Sequence, residues 1–161
     1  MLSNLKKSEN KGFTIIEVMI VLAIAGLILL IVFLAVPALQ RNSRNTQRKN
    51  DVSHLLALMN EYVSNNQGSV PTAIATGTGS TAGTMYTGTD KFAIITVPTS
   101  VTAATAATSF AATAAPTTDT PQVYTNTVCT SGTTPVLGTS AKQIAIWYFV
   151  EGTTSTQCVS S

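Results

Sequence analysis

Few side chains in this chain of 161 residues could carry out chemistry. His54 is the single histidine, and Cys129 and Cys158 are the two cysteines. Two thiols can close a disulfide, or hold a metal ion if two further ligands join them. His54 has no second ligand candidate near it in sequence and reads as a structural or simply exposed ring. No nucleophile stands beside a base, no carboxylates are paired, and no Gly-rich phosphate loop follows a strand. The sequence therefore predicts no catalytic residue, no metal site and no cofactor, in a protein that is not an enzyme.

What remains is electrostatic. Glu17 is the only charged residue between Phe13 and Leu39, and a carboxylate at the centre of a bilayer costs about 2.5 to 3.5 kcal/mol on insertion scales. Arg41, Arg44, Arg48 and Lys49 place four positive charges within nine residues. Such a group can bind phosphate, but no aromatic residue is interleaved with it for stacking on bases, so DNA contact is the minor reading. A solvated collar facing lipid headgroups fits better. The net charge of +2 is too small to argue for a nucleic-acid or acidic partner.

The elements that must position these residues follow from an uneven composition. Only 10% of the residues are charged, against about 25% in an ordinary soluble domain. The apolar residues crowd into the first quarter, and Val18 to Leu39 is a run of 22 residues without a charge. That exceeds the roughly 18 to 20 needed for a helix to cross a bilayer. A buried core helix would be shorter or show a polar face, and a cleaved secretory signal usually has only about 7 to 15 apolar residues.

Lys6, Lys7 and Lys11 precede the span and the Arg41 to Lys49 group follows it, so the positive-inside rule is nearly balanced. The cysteines lie in a Thr-rich, charge-poor region, which fits an extracytoplasmic disulfide better than free thiols. The N-terminus is therefore expected inside and the C-terminus outside.

Past the span, Val52, Leu55, Leu56, Met59 and Val63 form a helical stripe. Together with the apolar run it predicts one helix from about Phe13 to Asn65, about 80 Å long at 1.5 Å per residue. Asn65, Asn66, Gln67 and Gly68, followed by Pro71, supply its stop. In the Thr-rich remainder, Lys91–Val97, Gln122–Cys129 and Gln143–Glu151 read as strands. Residues 100–116 fit a weak helix and a surface loop equally.

The junction Lys11, Gly12, Phe13, Thr14, Ile15, Ile16, Glu17 resembles that of the type IV pilins and their pseudopilin relatives. The resemblance covers residues 11–63. It implies cleavage between Gly12 and Phe13 by a prepilin peptidase on the cytoplasmic side, with methylation of the new amine on Phe13. Glycine at the cut leaves the scissile carbonyl unshielded by a side chain. The resemblance also implies that Glu17 meets the positive amino terminus at Phe13 of a neighbouring subunit, compensating both buried charges. Pro37, about one helical turn later than the proline typical of that family, should kink or locally melt the helix. In many pilins a cysteine pair placed like Cys129 and Cys158 bounds a variable C-terminal surface loop.

The expected architecture is α+β, a long N-terminal helix packed on a small antiparallel sheet. Residues 1–12 are a leader. Residues 13–66 are the helix, with 13–39 the transmembrane or filament-core half and 40–66 the amphipathic half. Residues 67–161 are a Thr-rich β head. The implied protein is a structural subunit of an extracellular type IV pilus serving adhesion, twitching motility or DNA uptake. Its partners would be further copies in a helical homopolymer, the peptidase, the pilus assembly machinery and, before assembly, the inner membrane. A pseudopilin of a type II secretion or competence system shares this architecture. A membrane-anchored adhesive domain that never polymerises is the reading of a different class, and the Arg41 to Lys49 group could alternatively serve acids on neighbouring subunits.

Overall fold

The computed structural model describes residues 12–104, 116–117, 119–152 and 156–161. The leader, apart from Gly12, and most of the 100–116 segment therefore lie outside the described residues. The chain forms two compact units, one ending at Leu39 and one running from Gln40 to Ser161, and helix α1, Ile15–Asn65, contributes to both.

In the first unit the helix presents apolar side chains all round. From Phe13 to Leu39 every large hydrophobic residue is exposed. None of its most apolar stretch is buried, and the helix is long and apolar enough to cross a membrane. The helix is unbroken through Pro37. Proline has no amide hydrogen, so the carbonyl of Phe33, four residues earlier, loses its helical donor there.

In the second unit Val52, Leu55, Leu56 and Met59 are buried on one helix face, as their spacing requires. They meet Ile74, Met85, Ile95, Val123, Ile144, Ile146 and Tyr148 in one core. Leu55 and Met59 are fully buried, and truncating either to alanine should cost about 2 to 5 kcal/mol. The helix ends where Gln67 and Gly68 turn left-handed, with φ of 56° and 84°. The Gly68 amide then bonds back to the carbonyl of Val63 at 2.8 Å.

Eight short strands follow: β1 Ala73–Ala75, β2 Thr84–Tyr86, β3 Thr102–Ala103, β4 Gln122–Thr125, β5 Thr127–Thr130, β6 Thr134–Leu137, β7 Ile144–Phe149 and β8 Thr156–Ser160. The main sheet has the order β3-β4-β7-β8. Its β4–β7 and β7–β8 pairs are antiparallel, as is the separate β5–β6 hairpin. The short pairs β1–β2 and β3–β4 are parallel, so the head is not purely antiparallel. The architecture is α+β, with the helix packed on the β head.

Two expected strands differ in detail. Gln122–Cys129 is split because Asn126 adopts φ 58°. The amides of Asn126 and Thr127 both turn to the carbonyl of Gln143, at 2.7 and 3.4 Å. Lys91–Val97 is not a strand at all. Its amide hydrogens are taken elsewhere: those of Ile94 and Ile95 go to Asp51 Oδ2 at 2.8 and 3.2 Å, and that of Thr96 goes to the carbonyl of Asp119 at 2.7 Å. A buried helix carboxylate thus replaces a ladder neighbour for this segment.

Candidate functional site

In the N-terminal unit, helix α1 starts with reciprocal capping. The backbone amide and the hydroxyl of Thr14 donate to Glu17 Oε2 at 2.9 and 2.8 Å. The Glu17 amide donates back to the Thr14 hydroxyl at 3.4 Å. This is a capping box, Thr at the N-cap and Glu three residues on, which satisfies amide hydrogens that the first helical turn leaves without partners. Glu17 therefore sits at a helix N-terminus, where the macrodipole favours negative charge. Its second oxygen carries no hydrogen bond among the described residues.

Around this carboxylate the surface is apolar. Phe13, Glu17, Val18, Val21 and Leu22 line one groove, and the Phe13 side chain is 89% exposed. A Cβ placed on Gly12 would meet nothing within 4 Å among the described residues, so packing against these does not require glycine there. The segment can present an unshielded Gly12–Phe13 bond, an anion fixed one helical turn beyond it, and a greasy helix surface. Among the described residues no cluster of three or more His, Cys, Asp or Glu side chains is placed to hold a metal ion.

In the head unit the basic group resolves into individual roles. Glu151 accepts from Arg44 Nη2 at 2.6 Å and from Arg48 Nη2 at 2.5 Å. Hydrogen bonds from Arg44 and then Arg48 hold the Glu151 carboxyl at about 2, well below its ordinary 4.5. The same contact raises the Arg44 guanidinium above its ordinary value. Arg48 is 2% exposed and also reaches Asp119 at 3.4 Å. Asn45 exchanges two hydrogen bonds with the backbone of Glu151. For Arg44 and Arg48 the acidic partners thus belong to the same chain, so these two form neither an open phosphate-binding stripe nor a free headgroup collar. Lys49 is exposed and makes no ion pair among the described residues.

His54 lies 3.6 Å from Asp90 and against the ring of Phe92, with centroids 5.4 Å apart. Cys129 and Cys158 are joined by a disulfide, with Cα atoms 5.6 Å apart, tying β5 to β8. Pro37 is in the helix interior. The structure thus groups Gly12, Phe13 and Glu17 at one helix end, and places Pro37 and the cysteines elsewhere.

Sequence reasoning passed over Thr14, Asn45, Asp51 and Glu151. Thr14 was readable from the Thr-x-x-Glu spacing ahead of an apolar run. The other three depend on partners far away in sequence, and no local pattern marks them.

A family model described as the prokaryotic N-terminal methylation motif matches residues 7–33. No curated protein and no solved structure matches the chain.

Proposed function

From the type IV prepilin-like signature at its N-terminus, we propose that this pilin-like or pseudopilin-like, membrane-anchored protein is the structural subunit of an extracellular type IV pilus. The observation that carries the reading is the conjunction of that signature with a helix whose large hydrophobic side chains, from Phe13 to Leu39, all stand exposed among the described residues. Apolar surface of this extent is stable only under lipid or against other copies. A subunit stored in the membrane and then packed into a filament core uses both covers in turn.

In this reading the precursor sits in the cytoplasmic membrane with its N-terminus inside and its C-terminus outside, in keeping with the disulfide of the head. The peptidase cuts between Gly12 and Phe13, and the amine of Phe13 is methylated. Glu17 then receives the Phe13 amine of the neighbouring subunit. The capping box uses only Thr14 and Glu17 atoms, which lie beyond the cut, so it survives processing. It leaves one carboxylate oxygen for the incoming cation, and the pairing offsets the cost of burying both charges. Pro37 gives the packed helix a place to bend or open.

Negative-stain microscopy of sheared surface material, with peptide identification, tests the reading. Filaments containing this chain are expected, and they should be lost in Glu17→Val while membrane insertion and head folding persist. Surface function without filaments, with the chain retained in the membrane fraction, would favour a non-polymerising anchor.

A further inference from the structure

The second unit carries two open grooves, of about 330 and 320 Å³, on opposite flanks of helix α1. The stripe Arg48, Asp51, Val52, Leu55, Leu56 and Met59 is buried against the head. At about 100° per residue, Asn42, Asn45, Thr46 and Lys49 are centred about 100° to one side of that stripe. Leu58, Glu61, Tyr62 and Asn65 are centred about 100° to the other. The first set lines one groove together with Tyr148 and Gln157, and the second lines the other together with Tyr86 and Asp90.

The flanks differ in sign. Among the described residues Lys49 is the only charged one lining the first groove, while Glu61 and Asp90 are the charged ones lining the second. Lys49 and Glu61 are exposed and make no ion pair among the described residues; Asp90 has His54 at 3.6 Å. Tyr62 and Tyr86 also line the acidic groove, and an aromatic ring is a residue type that attracts an ammonium. Contact between two like flanks would oppose Lys49 to Lys49 or Glu61 to Glu61. Contact between unlike flanks pairs each charge, and because the two patches differ, the contact repeats from copy to copy without closing on itself unless the rotation makes a ring.

We infer that the Lys49 groove of one head docks against the Glu61–Asp90 groove of the next copy of this chain, making a heterologous contact that sets the order of heads along the polymer. The inference rests on the filament reading and names its lateral interface. The ammonium of Lys49 enters the acidic groove of the neighbour, and charge complementarity fixes which flank meets which.

Zero-length carbodiimide cross-linking of wild-type sheared filaments, read by peptide mass spectrometry, is the direct test. Lys49 and Glu61 stand on opposite flanks of one helix, so a Lys49–Glu61 or Lys49–Asp90 cross-link reports two copies. In cells, Lys49→Glu and Glu61→Lys should each lower filament yield about tenfold, and the double swap should restore it to within about twofold. Resistance of Cys129 and Cys158 to alkylation checks that each head is folded. Wild-type filaments without either cross-link, single reversals at full yield with folded heads, or Lys49 linked to a different protein would each overturn the interface. If wild-type cells make no filaments, the filament reading falls and the interface falls with it.

Discussion

Asn45 and Glu151 are joined by two hydrogen bonds that run in opposite directions. The Asn45 side-chain amide donates to the Glu151 carbonyl at 2.9 Å, and the Glu151 amide donates to Asn45 Oδ1 at 2.9 Å. A helix side chain thereby treats the chain just past β7 as a strand partner would. The flanking arginines then hold the Glu151 carboxylate on the same helix face.

Asn45→Ala leaves an amide and a carbonyl of Glu151 without partners in a half-buried place. The head should lose about 1 to 3 kcal/mol of stability. Chemical denaturation of the detergent-solubilised protein, followed by Trp147 fluorescence, reads this. An unchanged midpoint would mean that water replaces both bonds at no cost.

Acid should weaken the same latch. The folded Glu151 carboxyl titrates at about 2, below its ordinary 4.5. Its contribution is therefore complete above that ordinary value and is lost as pH falls from about 4.5 toward about 2. The thermal midpoint of the head should drop across this window, and Glu151→Gln should flatten that part of the profile while lowering stability at neutral pH. A Gln variant with the wild-type acid profile would assign the titration to other carboxylates.

Loss of the disulfide concerns the head. For a sequence separation of 29, loop-entropy models give about 3 to 4 kcal/mol. Cys129→Ser with Cys158→Ser should lower the thermal midpoint of the head without preventing membrane insertion of the Phe13–Leu39 segment. Two thiols that alkylate readily in the native wild-type protein would contradict the pairing.

Processing is read at the N-terminus by mass spectrometry. The mature chain should begin at Phe13 with a methylated amine, and Gly12→Val should remain uncut. A Cβ at Gly12 meets nothing within 4 Å among the described residues, so failure to cut would reflect approach of the peptidase. Cleavage of that variant at the same bond would remove the assignment.

Thr14 separates helix capping from presentation of the carboxylate. Aspartate caps a helix at least as well as threonine, but its carboxylate cannot replace the hydroxyl that donates to Glu17, and it adds a like charge beside it. Thr14→Asp should therefore reduce filament yield severalfold, whereas Thr14→Ser, which keeps the donor, should not. Comparable yields from both would leave Thr14 with a capping role alone.

Much of the architecture was legible because hydrophobic spacing is local. The helical stripe is buried from Val52 to Met59 where its spacing placed it, with Val63 at its end half-buried, and the continuous apolar run from Gln143 holds the largely buried strand β7. The partners of Arg44 and Arg48 were not legible, because charge alone does not say who its partner is, and Glu151 lies more than a hundred residues from Arg44. Lys91–Val97 has the composition of a strand, yet Asp51, a buried carboxylate on the helix face packed against the head, captures the amides of Ile94 and Ile95. The threonine-rich stretches alternate too little in polarity to fix short pairings such as β1–β2.

The covalent tie between β5 and β8 has a mechanical meaning as well. When the chain is pulled, the 29 residue steps from Cys129 to Cys158 cannot be drawn out, which withholds about 100 Å of contour at ~3.4 Å per residue. A load entering through helix α1 can then lengthen only chain that lies outside this closed loop. Strands β6 and β7 lie wholly within the closed loop, and they stay held as a short tether however hard the remainder is stretched.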